Sequence, residues 1–188
     1  MTVPQSSRQP ARTETELRSR YITVLARAIR CVHPTVQPRI GPSPRAGAFR
    51  SLAWSEEPIP VPTPRGDQLY LAIDQLLEIV PNPDYPGEIK YSTRMYSYAV
   101  YESEQPDAPT LFHWHWNPAS DWPDPHLHLS IEDPRQRGPR LHIPTGGRVT
   151  IETVLRFLIR EQMVTPANDD WEQQLSDGQR LFDDYHST

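Results

Sequence analysis

Between Leu111 and Gly147, apolar and polar residues alternate with the period of a β-strand three times over. In Phe112-His113-Trp114-His115-Trp116 the two histidines share one face and the three aromatics the other, because successive strand side chains point to opposite sides of the backbone. His126-Leu127-His128-Leu129-Ser130 repeats the arrangement with leucines, and Leu141-His142-Ile143 sets one histidine against two aliphatics. Three segments sorted in this way predict neighbouring strands of one antiparallel sheet. One face would lie on a core and the other would carry a histidine cluster.

From Thr150 the period lengthens. Ile151, Val154, Leu155, Leu158 and Ile159 recur at i, i+3, i+4, i+7 and i+8, which predicts an amphipathic helix whose stripe belongs on the aromatic face of the sheet. Near the N-terminus, Thr13 and Glu16 have the spacing of a capping box. Leu17, Tyr21, Val24, Leu25, Ala28 and Ile29 follow at helical spacing and predict a helix over Glu14–Arg30. Glu88 to Glu102, rich in tyrosine, threonine and valine, predicts a long strand.

Two segments are less direct. Asp67 to Val80 fits a strand through Leu69, Leu71 and Ile73, and a helix through Leu69, Ile73, Leu76, Leu77 and Val80; a helix is the expectation. Residues 34–64 are so dense in proline that the expectation is irregular chain wrapping the surface, anchored at Leu52 to Trp54. Beyond Pro166, Trp171 to Tyr185 predicts one or two acidic helices docked through Trp171, Leu175, Leu181 and Phe182. The fold class expected is α+β, an antiparallel sheet of about four strands with helices on one face and the histidine cluster on the other. Along the chain this gives a disordered tail over 1–12, a helix and proline-rich extension over 13–64, a core domain over 65–165 and an acidic helical segment over 166–188.

Composition narrows the function classes. The 188 residues make one domain of ordinary size, and the net charge of −5 provides no overall field for nucleic acid. Charge is uneven, with nine arginines against Glu14 and Glu16 in residues 1–50, and seven acidic residues against Arg180 in residues 161–188. The two ends are therefore expected to meet, or else the N-terminal part to touch an acidic partner. A lone cysteine, Cys31, excludes an internal disulfide and fits a reducing compartment. No apolar run approaches the roughly 20 residues of a membrane helix, so a cytoplasmic protein with no membrane partner is the expectation.

The histidines carry the candidate chemistry. Directly opposed residues on paired strands stand about 4.5 to 5.5 Å apart, so two paired HxH segments can bring four imidazoles together with His142 as a fifth. One use is a divalent transition metal, Zn²⁺, Fe²⁺, Mn²⁺ or Ni²⁺, held by His113, His115, His126 and His128 with positions left for water or substrate. The other is metal-free general acid and base catalysis of phosphodiester cleavage by the same histidines and His142. Arg140 and Arg148 flank the third segment and are candidates to hold a phosphate, and Trp122, on the loop between the HxH segments, is a candidate to stack on a nucleobase. A plainer reading makes the imidazoles half-exposed strand residues on a solvated face. Asp121 and Asp124 read first as turn formers, the glycines of Pro144-Thr145-Gly146-Gly147-Arg148 as an ordinary strand-to-helix turn, and His33 and His186 have no assigned role.

The order of these segments resembles the TumE-type toxins of bacterial toxin–antitoxin modules. The likeness runs from Tyr96-Ser97-Tyr98 through the aromatic strand and Asp124-Pro125-His126-Leu127-His128 to the helix opened by Thr150-Ile151-Glu152, covering residues 88–160. The chain is also similar to uncharacterised actinobacterial proteins with HWH, HLH and HIPTG segments. Its long N-terminal extension, acidic C-terminal tail and histidine spacing depart from the TumE pattern, and only His126 and His128 carry over. The resemblance implies a growth-inhibiting protein neutralised by an antitoxin. The leading expectation is thus a toxin-like nuclease or other phosphodiesterase acting on RNA or a similar substrate. Two alternatives stand beside it: a cupin-like metal enzyme, for which the regular glycine-marked turns of a double-stranded barrel are missing, and a non-catalytic interaction protein.

Overall fold

The computed structural model describes residues 11–42, 47–55, 57–105, 108–130 and 140–186, with the side chains of residues 130, 140 and 181–186 outside the description. The fold is α+β, as the alternation predicts. Helix α1 (Glu14–Arg30) precedes eight strands, β1 (Arg39–Pro42), β2 (Phe49–Ala53), β3 (Ile59–Pro62), β4 (Gln68–Pro81), β5 (Ile89–Tyr101), β6 (Thr110–Trp116), β7 (His126–Ser130) and β8 (Arg140–Pro144). Helices α2 (Ile151–Arg160) and α3 (Trp171–His186) follow. The strands form one antiparallel sheet in the order β1-β2-β4-β5-β6-β7-β8, and β3 pairs with β4 beside β2.

The sheet has twice the expected number of strands, because two expectations fail. Asp67 to Val80 is no helix but most of β4, a central strand flanked by β2 and β3 on one side and β5 on the other. Its core face keeps a period of two through Leu71, Ile73, Gln75 and Leu77, while Leu76 is buried on the opposite face, so that two leucines are buried in succession and the apolar spacing imitates a helix; the β-bulge at this point lies in β5, where Arg94 is the extra residue. The proline-rich residues 34–64 are likewise not irregular throughout. They contain β1, β2 and β3, and Pro60 and Pro62 sit in β3, which among the described residues pairs with no strand but β4, so that a missing N–H on the other side costs no ladder bond. Ile40, Leu52, Trp54, Ile59 and Val61 from this stretch are buried in the core, which makes it part of the domain rather than a wrapping.

The helices lie on one face. Thr13 caps α1 through a complete capping box, its Oγ1 accepting from Glu16 N while the Glu16 carboxylate accepts from Thr13 N at 3.1 Å. Ala11, at the end of the expected tail, is buried, and its carbonyl accepts from Ile89 N at 2.9 Å. Tyr21 of α1 donates to Gln75 on β4, and Gln75 Nε2 donates to the Tyr98 hydroxyl on β5, so buried polar groups on helix and sheet satisfy one another. The apolar stripe of α2 is buried in the core, and Phe157 beside it reaches the aromatic face of β6, meeting Trp114 edge-on at 5.6 Å and Phe112 at 5.6 Å. Helix α3 packs on α1 and α2, with Leu175 and Cys31 fully buried; Leu181 and Phe182 lie outside the described side chains.

The chain ends meet. Ala167 N donates to the Cys31 carbonyl and Asn168 to that of Arg30. Among the described residues the acidic Glu172 pairs with Arg156 and Arg160 of α2, while the N-terminal Arg50 pairs with Glu14. No helix among the described residues is long and apolar enough to cross a membrane.

Candidate metal centre

Register brings the histidines together. Strand β6 pairs with β7 so that His113 faces His128 and His115 faces His126, and β7 pairs with β8 so that His128 faces His142. All five imidazoles therefore fall on the face opposite the helices, with ring centroids of neighbours 4.4 to 6.0 Å apart. The alternation places Trp114 and Trp116 on the other side, where both are buried. At the outer strand the pattern loses its core. Leu141 and Ile143 point to the helix side as expected, yet β8 is the edge of the sheet and both remain exposed, at 44% and 36%.

Within the cluster three residues converge. One donor nitrogen from each of His115, His126 and His128 lies within 4.8 Å of the other two. The Nε2 atoms of His126 and His128 are 2.8 Å apart. Imidazole nitrogens bound at about 2.0 to 2.1 Å stand roughly 3 to 3.5 Å apart around one ion, so a shift of about 1 Å seats all three.

The tautomer of His126 is set by the loop before it. Its Nδ1 lies 2.6 Å from the carbonyl oxygen of Asp124, which can only accept, so Nδ1 carries the proton and Nε2 presents its lone pair to the centre. The contribution of Asp124 is thus its backbone, while its carboxylate and that of Asp121 are exposed. His128 Nε2 faces the lone pair of His126 Nε2 and so carries the proton, and its Nδ1, buried with no hydrogen-bond partner among the described residues, is the unprotonated nitrogen of a ring that binds metals through either one.

His115 and His128 are held toward the neutral form, which is the form that binds metal. Burial pushes His128 down to about 3, helped by the charges that His113, His126, His142 and His115 would carry. His115 is lowered by burial and then by His126. This has a consequence for stability. The folded pKa of His128 lies below its ordinary 6.5, so the unfolded chain binds more protons between those values. The contribution of neutral His128 is complete above pH 6.5 and is lost as pH falls toward 3. Urea midpoints of the metal-free protein are expected to fall from about pH 7 to about pH 5, and to fall less in His128→Gln. Equal pH dependence in the two proteins would show that His128 is not the group responsible.

The remaining candidates have other contacts. His113 turns its Nε2 to Ser97 Oγ at 2.8 Å and stands outside the converging three, although it was expected as a fourth ligand. Ser97 itself went unnoticed in the sequence. It lies between the two core-facing tyrosines of β5, and only the β5–β6 register sets it opposite His115. His142 stacks on Trp122 with centroids 4.8 Å apart and planes 5° apart. Arg148 lies over the ring of Trp116 at 4.1 Å, on the opposite face of the sheet from the histidines, and Arg140 opens β8 with its side chain outside the description. The segment after β8 is a turn: Gly146 has φ 75, Thr145 N donates to the Pro125 carbonyl, and Val149 N donates to the Tyr96 hydroxyl. Those N–H groups are engaged within the protein. Comparison of the chain with protein-family models, with curated proteins and with solved structures found no match.

Proposed function

We propose that the protein is a metal-dependent hydrolase of phosphodiester substrates. The observation that carries this reading is the convergence of His115, His126 and His128 on one point with a backbone carbonyl orienting His126. Three imidazoles leave coordination positions open, the arrangement of catalytic rather than structural sites. A divalent ion held there supplies a Lewis acid for a phosphoryl oxygen and makes water more acidic. Burial favours the neutral form of His115 and His128, and two further imidazoles, His113 and His142, stand beside the ligand set for proton transfer.

Openness of the site favours this over the cupin-like alternative. Among the described residues the strands run in an open order with β1 and β8 at the ends, so the centre lies on the face of a sheet that is not closed into a barrel. The arginines expected to hold phosphate do not support the reading, since Arg148 stacks on the far face; charge neutralisation falls to the metal. The likeness to TumE-type toxins adds that the activity arrests growth in the cytoplasm and is restrained by an antitoxin.

Protein loaded in parallel with Zn²⁺, Mn²⁺ or Ni²⁺ is expected to cleave bis(p-nitrophenyl) phosphate or single-stranded RNA, and His128→Gln to abolish that cleavage. Absence of turnover with every ion and both substrates would overturn the hydrolase reading. Growth arrest that survives replacement of both His126 and His128 would detach toxicity from this centre.

A further inference from the structure

We infer that Trp122 is a stacking platform for a nucleobase beside the histidine centre, an assignment that rests on the phosphodiester reading above. The other described tryptophans of the sheet, Trp114 and Trp116, are buried at 6% and 9%, whereas Trp122 is 55% exposed. An indole left that open contributes little to the core, and its position calls for another account.

Its placement supplies one. Trp122 lies on the loop between β6 and β7, the two strands that carry the converging histidines, and its ring centroid is 6.4 Å from that of His126. One ring face rests flat on His142, 4.8 Å away and within 5° of parallel, which leaves the other face for a planar partner. The loop is braced before anything binds. Ser120 Oγ lies 2.8 Å from the carbonyl oxygens of both Trp122 and Asn117 and shares its one proton between them, Ser120 N donates to the same Asn117 carbonyl at 3.0 Å, and Ala119 N donates to Asn117 Oδ1 at 3.1 Å. A ring held in place in this way loses little freedom on binding, so stacking is not spent on ordering the loop.

The chemistry of the neighbour decides the ligand class. A nucleotide carries a flat base joined to a phosphate, matching a flat indole next to a centre suited to phosphoryl oxygen. Stacking is tolerant of which base is present. Stacking on an indole needs a base that is not paired within a duplex, so a single nucleotide or an unpaired strand is the fitting substrate.

The test compares adenosine 5′-monophosphate with ribose 5-phosphate, which differ only in the base, by calorimetry on zinc-loaded and zinc-free protein. Wild type is expected to bind the nucleotide at least about tenfold more tightly. Trp122→Ala is expected to remove that preference and Trp122→Phe to retain most of it, with circular dichroism checking that both variants fold. Equal affinities in wild type, or a preference that persists in Trp122→Ala, would overturn the platform. Stoichiometry of Zn²⁺, Mn²⁺ and Ni²⁺ on the same proteins separates the two ideas: bound metal without base preference removes the platform alone, and absence of binding by all three ions removes the hydrolase reading while the metal-free comparison still tests Trp122.

Discussion

Substitution of His115 by alanine is expected to remove high-affinity binding of a divalent transition metal while the fold persists. The residue is half-buried on the open face, so truncation opens no cavity in the helix-side core. His126 is the poorer choice for this experiment. Its place on the histidine face suggested an exposed ring, but it is only 4% exposed and hydrogen-bonded to Asp124, so its loss would perturb packing as well as ligation. Losing one of three ligands costs more than the roughly 10- to 100-fold that loss of a second-shell contact costs, so the effect in calorimetry or chelator competition is large. A second readout follows by linkage. Metal at 100 times its dissociation constant stabilises the native state by about 2.7 kcal/mol, and this shift in the melting curve is expected in wild type and not in His115→Ala. Unchanged metal affinity in the variant would exclude His115 from the centre.

The opposite face of the same strand is expected to behave in the opposite way. Trp114 is buried against Phe112 at 5.7 Å and Phe157 at 5.6 Å, joining β6 to α2. Trp114→Ala removes the largest side chain at that junction, and truncation of a core aromatic costs about 3 to 5 kcal/mol. Metal affinity measured at a temperature where the variant remains folded is expected to be close to wild type, because the histidines project from the other side. A loss of less than about 1 kcal/mol in urea unfolding would mean that α2 does not depend on this contact. The pair of variants thus divides one five-residue strand into a stability face and a ligand face.

Much of this was legible because strand and helix periods are local. The alternation in Phe112 to Trp116 determines which side chains share a face whatever the rest of the chain does, and Thr13 with Glu16 caps α1 using atoms three residues apart. The same holds for α2, whose stripe and Thr150 cap are contained in one short segment. Where the local pattern misled, a neighbour had overridden it. In β4 the apolar spacing imitated a helix because Leu76 and Leu77 are buried on opposite faces of one strand, and the prolines of β3 are tolerated because no strand among the described residues pairs with its outer edge.

By itself, then, the sequence determined the class of the fold, the caps, and the sorting of five histidines away from the tryptophans and leucines, since each follows from residues a few positions apart. Tertiary structure alone decided which imidazoles meet. The β6–β7 register puts His115 opposite His126 rather than His128, Ser97 draws His113 aside, and the Asp124 carbonyl selects the nitrogen that His126 presents. It also decided that Leu141 and Ile143 stay exposed, because β8 is the last strand. Contacts between strands distant in sequence depend on pairing and hydrogen bonds that no period along one strand encodes.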